Sequence, residues 1–299
     1  MEDIMQNKIK RFCFFIIATA LLVGVSGCVT PYEPPPLPQS AWGDHYAFSY
    51  QPKGEIKPAA SVPVTIAVVN PSYKVEDSVL AAELYRKIGK GLSASMGTDL
   101  DKILITKGLT TTGPFPSLDE ITYSDKKGAA LTLAPQVFIT MEIKDSGPPV
   151  QIGNPWARGQ GGTIARGGGM VQGGASLRAD QYFVMNVTGW ITFIMQEPLS
   201  GEKMWIKKLE LDPVTTQGII STESIPQITD GGFLVGPIVS GYTRGNMLYD
   251  GRPDALADAL KQIYPVVMSQ FEKYIDTDEL GQLKEKAKEI RASNVFIGK

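Results

Sequence analysis

Few side chains in this 299-residue chain are of the kinds that do chemistry. There is one histidine, His45, and there are two cysteines, Cys13 and Cys28. A single imidazole excludes any zinc or catalytic centre built on two, and two thiols cannot form a thiolate cluster. No metal and no cofactor is therefore expected. His45 follows Asp44, but neighbours on an extended segment point to opposite faces, so the two form no oriented dyad. Glu197 and Glu202 flank the turn Glu197-Pro198-Leu199-Ser200-Gly201-Glu202, where carboxylates are expected to be solvated rather than poised for acid–base work. Neither G-x-S-x-G nor a nucleotide-binding glycine fingerprint occurs. What remains is a stretch from Gly159 to Gly174 with eight glycines in sixteen residues. Trp156, Arg158, Arg166 and Arg178 lie on it or near it. Trp156, Arg158 and Arg166 are the candidate ligand-binding residues, because a guanidinium can hold a carboxylate through two parallel hydrogen bonds. Their glycine-rich flanks leave them poorly preorganised for it.

Composition narrows the function further. Lys plus Arg is 29 against 31 for Asp plus Glu, a net charge of −2. So even a balance gives no electrostatic footprint for nucleic acid. Apolar residues make up 43% and charged residues 20%, enough for a sizeable core and incompatible with global disorder. A binding protein rather than an enzyme is expected.

The elements that must position these residues begin with a targeting segment. Lys8, Lys10 and Arg11 precede the apolar run Phe12–Val25, whose 14 residues reach about 21 Å as a helix, short of a ~30 Å hydrocarbon core. That is the pattern of a secretory signal. Val25-Ser26-Gly27-Cys28 resembles a bacterial lipobox, in which cleavage before the cysteine frees an amino group and acyl chains of the palmitate type are added to it and to the sulfur. A plain signal peptide with a chance cysteine, or an uncleaved anchor, are the alternatives. Residues 1–27 are thus read as a signal peptide and 28–40 as a lipidated, proline-rich tether. The tether's five prolines between Pro31 and Pro38 favour an extended spacer of roughly 25 Å. Val29 stands where an aspartate would favour retention at the inner membrane, so the expected place is the outer membrane, in either leaflet, with the membrane itself as a partner. Several acyl chains hold firmly there, at about 0.8 kcal/mol per buried methylene.

Residues 41–299 are read as one α+β domain. Trp42, Tyr46, Phe48 and Tyr50 share a parity and predict a strand with an aromatic face. The β-branched run Val62–Val69 predicts a strand buried on both faces. From Asp77 to Thr106, Leu80, Leu84, Ile88, Leu92, Met96, Leu100 and Leu104 predict a long helix with one apolar stripe. Gly89, Gly91 and Gly97 weaken it unless another backbone approaches closely. Lys107-Gly108 marks its end, Leu109–Phe115 a short strand, and Ser117-Leu118-Asp119-Glu120 a capping box. Alternation around Val137–Ile143, Phe183–Met195 and Met204–Leu211 predicts three more strands. The segment 157–175 is a long glycine-rich loop, and Gly231–Gly251 a second glycine-rich stretch with a strand or buried loop at Phe233–Val239. Pro253 opens a helix that Pro265 should kink, and Thr277 caps a last, charged helix with Leu280, Leu283, Ala287 and Ile290 on one face. The fold class expected is α+β: a mixed, mostly antiparallel sheet covered by a long N-terminal helix and C-terminal helices.

The order of short motifs resembles the neuraminyllactose-binding hemagglutinin (HpaA) family of bacterial outer-membrane lipoproteins. The residues that carry it run from Tyr50-x-Pro52 and Asn70-Pro71-x-Tyr73 through Ile103-Leu104, Gly108 and Asp125-Lys126-Lys127. It continues with Glu197-Pro198-Leu199-Ser200-Gly201-Glu202, Gly231-Gly232, Leu234-Val235, Gly241, Asp254-Ala255, Ala259-Leu260, Ile263 and Lys286-Ala287-Lys288-Glu289-Ile290. The resemblance implies an envelope lipoprotein that acts as a surface adhesin, with a glycan or a host protein as ligand. A structural part of a periplasmic or outer-membrane assembly, with envelope proteins as partners, is the alternative. The lysine-rich segment linked to sialic acid in that family belongs soon after Ile143. The glycine-rich loop stands there instead, so sugar specificity does not carry over.

Overall fold

The computed structural model describes residues 35–43, 45–58, 60–75, 79–152, 177–230 and 237–293. The β-branched run forms strand β1 (Thr65–Val69). Ile66 and Val68 face one side, Ala67 and Val69 the other, and all four are buried. β1 runs parallel to both its neighbours, β3 (Thr110–Phe115) and β4 (Leu131–Leu133). The sheet is organised by β7 (Leu177–Gln196), whose one edge is filled in turn by β4, β5 (Gln136–Asp145) and β6 (Val150–Ile152), all antiparallel. β2 (Ser72–Val75) adds to β5 in parallel. The other edge of β7 pairs from end to end with β8 (Lys203–Asp230), and β8 carries β9 (Pro237–Asp250). The described strands thus form one nine-stranded mixed sheet, mostly antiparallel.

Helix α1 (Val79–Thr106) buries Leu84, Ile88, Leu92, Met96, Leu100 and Leu104, the stripe that the four-residue spacing predicts. It ends where Lys107-Gly108 places it, the Leu109 N–H reaching back to the Leu104 carbonyl and the Gly108 N–H to Ile105. Helix α3 (Arg252–Tyr274) has Pro253 in its first turn and runs through Pro265, whose ring faces solvent. Its Leu256, Leu260, Ile263, Val267 and Phe271 meet the α1 stripe over Phe183, Met185, Val187, Ile191, Phe193 and Met195 of β7. Helix α4 (Thr277–Ser293) adds only Leu280 and Ala287 to the fully buried set. The fold is α+β, as the element order implies.

Several local expectations are corrected. Residues 45–50 form no strand: the parity of Tyr46, Phe48 and Tyr50 is real, but their backbone finds helix side chains instead of a partner strand. Ser117 makes no side-chain cap, and only a single 3-10 turn follows it. The capped helix is α2 (Tyr123–Gly128), where the Thr122 hydroxyl accepts from the Asp125 N–H. Asp276, not Thr277, caps α4, its Oδ1 accepting from the Asp278 N–H at 2.8 Å. For the second glycine-rich stretch, where the sequence leaves strand or buried loop open at Phe233–Val239, the described part from Pro237 to Asp250 is strand, paired with β8 from Asp230–Pro237 to Ile220–Asp250, and Phe233–Gly236 lie outside the described residues.

One glycine of α1 has the reason that the sequence leaves open. A Cβ on Gly91 would sit 1.8 Å from the Tyr46 carbonyl oxygen, so the chain before β1 lies directly on the helix there. Gly91→Ala is expected to lower the unfolding free energy by about 1–3 kcal/mol, although alanine is the better helix former. A urea titration of the variant beside the parent chain checks this, and faster proteolysis within residues 40–50 is expected to accompany it.

Candidate binding surfaces

Residues 40–43 and 45–58 lie as a strap across α1 and α3, and carboxylates of the two helices hold it. Asp99, buried on α1, accepts the Tyr50 N–H at 2.7 Å, the Tyr264 hydroxyl at 2.8 Å and the Lys102 ammonium at 2.8 Å. Asp254, in the first turn of α3, accepts the hydroxyls of Ser40 and Tyr249 at 2.7 and 2.9 Å. Asp258 accepts the Trp42 indole N–H at 3.0 Å, with the Lys261 ammonium over the same ring. Glu272, near the end of α3, takes the Tyr50 hydroxyl at 2.6 Å and the N–H groups of Lys53 and Gly54. Burial alone would raise the Glu272 carboxyl. These three donors and the nearby Lys107 outweigh it and hold the group below the ordinary carboxylate range.

Ahead of the strap, the carbonyls of Pro35 and Pro36 accept from Arg178 at 2.9 and 3.0 Å. Arg178 stands at the start of β7 and is itself fixed by a two-pronged pair with the buried Asp180, at 2.7 and 2.6 Å. Pro35 and Pro36 are thereby pinned at the β6–β7 end of the sheet, where Ile152 pairs with Arg178.

The turn carboxylates do not share the solvated fate expected of both. Glu202 is exposed, but Glu197 is fully buried and accepts from the N–H groups of Leu199 and Ser200 and from the Arg291 guanidinium at 2.6 Å. Burial acts to raise its pKa, and the Ser200 N–H and Arg291 more than offset this, so it titrates low. Arg291 also reaches the Ala129 carbonyl at the end of α2, locking α4 to the turn.

One side of the sheet is covered by the helices. The other, over β5, β7 and β8, carries Phe138 and Trp190 in register, stacked with centroids 5.3 Å apart. Glu210 continues that row on β8 and is ion-paired with Lys208, whose ammonium lies 5.3 Å from the Trp190 ring. Thr140 and Thr188 pair their hydroxyls beside it, and Thr215 donates to Asn186. A Cβ at Gly189 would lie 2.1 Å from the Phe138 carbonyl, and its φ of +151° suits glycine alone, so this close crossing of β5 over β7 fixes where the two rings meet. An apolar ring pair, a cation and hydroxyls on rigid strands form a surface able to stack on and hydrogen-bond to a polar ligand.

Cys28, Trp156, Arg158 and Arg166 lie outside the described residues, as does Asp44; His45 is exposed. Of the arginines near the glycine-rich loop, Arg178 is placed, and it is a structural clamp. The strap carboxylates and the ring pair are missed by a reading along the chain, since their partners are remote in sequence. Among the described residues, no three His, Cys, Asp or Glu side chains come together as a metal site would require.

No family profile matches the chain, and no curated protein does. Among solved structures it is similar to a neuraminyllactose-binding hemagglutinin homologue from Helicobacter pylori, at 15% identity and a TM-score of 0.46, over 81% of this chain and 98% of that one. A dodecameric PelC variant from Paraburkholderia phytofirmans is similar at 10% identity and a TM-score of 0.22, over 71% of this chain and 91% of that one. With both TM-scores below 0.5, fold and function rest on this chain's own residues.

Both Glu197 and Glu272 titrate lower in the folded chain than when unfolded. Their contribution is therefore complete above the unfolded carboxyl range near pH ~4.3 and is lost as the pH falls through their folded values. Unfolding free energy measured from pH 7 down to 3 is expected to fall, and Glu272→Gln to flatten part of that slope. Arg291→Met, which strands the buried Glu197 carboxylate, is expected to cost about 3 kcal/mol at pH 7, and the Glu197→Gln, Arg291→Met pair less than Arg291→Met alone, by urea titration.

Proposed function

We propose that this protein is an outer-membrane lipoprotein, acylated at Cys28, that acts without catalysis as an adhesin-type binding protein for a glycan or a host protein. The lipobox-like Val25-Ser26-Gly27-Cys28 supports the anchor, and the motif order shared with the neuraminyllactose-binding hemagglutinin family supports the kind of function. The observation that carries the binding role is the face of β5, β7 and β8 that no helix covers among the described residues, where Phe138, Trp190 and Lys208 stand beside Thr140, Thr188 and Asn186. Pinning of Pro35 and Pro36 by Arg178 would let a lipid anchor hold the body in one orientation instead of letting it swing on a free spacer.

A second reading has its own support. β9 pairs with β8 alone among the described strands, so a 14-residue strand lies at the edge of the sheet. Such an edge is a template for a partner's strand. This favours a structural place in an envelope assembly.

Protease added to intact cells separates the two: cleavage of the body before lysis is expected of the adhesin, and protection until lysis of the assembly component. For the adhesin, Trp190→Ala is expected to lower binding to responsive glycan or host-protein arrays at least ten-fold while shifting the unfolding midpoint only slightly, because the ring is part-exposed. Unchanged array binding would remove the sheet face from the account.

A further inference from the structure

Helix α4 stands away from the chain that leads into β1, and a cleft of about 660 Å³ opens between them. Its floor is apolar, made by Val62, Pro63 and Val64. Two ammonium groups line it from opposite sides, Lys57 before β1 and Lys284 on α4. Each rests on a neutral oxygen: Lys57 donates to the Thr277 hydroxyl at 3.2 Å, and Lys284 to the Pro63 carbonyl at 2.5 Å. Neither forms an ion pair among the described residues, whereas Lys288, further along α4, is paired with Glu285. Two carboxylates line the cleft as well, Asp278 in the first turn of α4, where the helix dipole favours it, and Glu285, which is held by Lys288. A smaller cleft of about 230 Å³ continues along α4 past Lys284 to Arg291.

Gly281 is the second, independent feature. It lies inside α4 and lines the cleft, and a Cβ there would meet nothing within 4 Å. A helix-interior glycine costs about 1 kcal/mol relative to alanine. No packed neighbour accounts for it here; the absent side chain instead leaves the cleft open between Lys57 and Lys284.

We propose that this cleft is a binding site for a small organic anion, its phosphate or carboxylate group held between Lys57 and Lys284 and its body lying on Val62, Pro63 and Val64. Its volume lies within the range of small-molecule sites, ~300–1,000 Å³. Position separates a free anion from a lipid headgroup. Pro35 and Pro36 are pinned at the start of β7, whereas Ala130, which lines the smaller cleft with Lys284, leads into β4, and β4 pairs with the last residues of β7, Met195 and Gln196. The 20 residues of β7 span roughly 60 Å, so the cleft lies at the end of the sheet opposite Pro35 and, on the lipid anchoring proposed above, away from the membrane, and the free anion is the ligand.

Calorimetric titration of the full chain with inorganic phosphate tests this. Saturable binding at millimolar phosphate is expected. Lys57→Gln and Lys284→Gln are each expected to weaken it about five-fold, as loss of one charge-assisted contact would. Gly281→Trp, which fills the open space, is expected to abolish binding with the fold intact by circular dichroism, and Gly281→Ala to raise the unfolding midpoint by a few degrees. Absent or non-saturable binding, or a glutamine variant that binds as tightly as the parent chain, would overturn the site, and those variants decide the matter if Gly281→Trp does not fold. Vesicles of phosphatidylglycerol form the second arm, with the Cys28→Ser chain. Capture that depends on Lys284 would make the ligand a headgroup and overturn the free anion.

Discussion

The buried carboxylate of Asp99 is the point on which the helical layer turns. It sits on α1, takes a hydroxyl from α3 and a backbone N–H from the strap, and keeps its own charge balanced by Lys102 one turn away. A buried carboxylate left without donors would cost several kcal/mol, so the three segments are obliged to meet where they do. Once they meet, the α1 and α3 stripes face β7 together, and Phe193 and Phe271 come into ring contact at 4.6 Å. The strap then covers the seam that two helices on one sheet would otherwise leave open to water.

The same logic recurs at each end of the molecule with different partners. Arg178 with Asp180 binds the carbonyls of Pro35 and Pro36 at one end of β7, and Glu197 with Arg291 binds the turn and the last helix at the other. In each, a buried acid orients an arginine, and the arginine takes backbone carbonyls that have no ladder partner. Much of this chain's buried charge is therefore spent on holding extended segments that lack strands or helices of their own. The aromatic face of the sheet and the cleft beside α4 lie apart from these clamps.

How far the sequence is legible depends on how local the cause is. The α1 stripe from Leu84 to Leu104, the burial of β1 on both faces and the turn after Gln196 follow from residues within a few positions of one another. The strap shows the limit. Alternation of Tyr46, Phe48 and Tyr50 reports correctly which residues turn inward, but inward burial at period two does not require a neighbouring strand, and here side chains of helices supply the backbone partners. The glycine-rich stretch after Gly231 leaves strand and buried loop open along the chain, and from Pro237 to Asp250 the ladder partner that β8 provides makes it a strand.

By itself the sequence determined periodicity, turn chemistry, element order and the α+β class, because these arise from contacts between near neighbours along the chain. Only the tertiary structure decided which acids are buried and what they hold. Tyr50 and Glu272 stand 222 positions apart, Glu197 and Arg291 94 apart. No local pattern distinguishes a glutamate that will be solvated, such as Glu202, from one five residues away that will be enclosed. The difference is made by the donors that long-range packing brings to it, and by the low dielectric in which it must accept them.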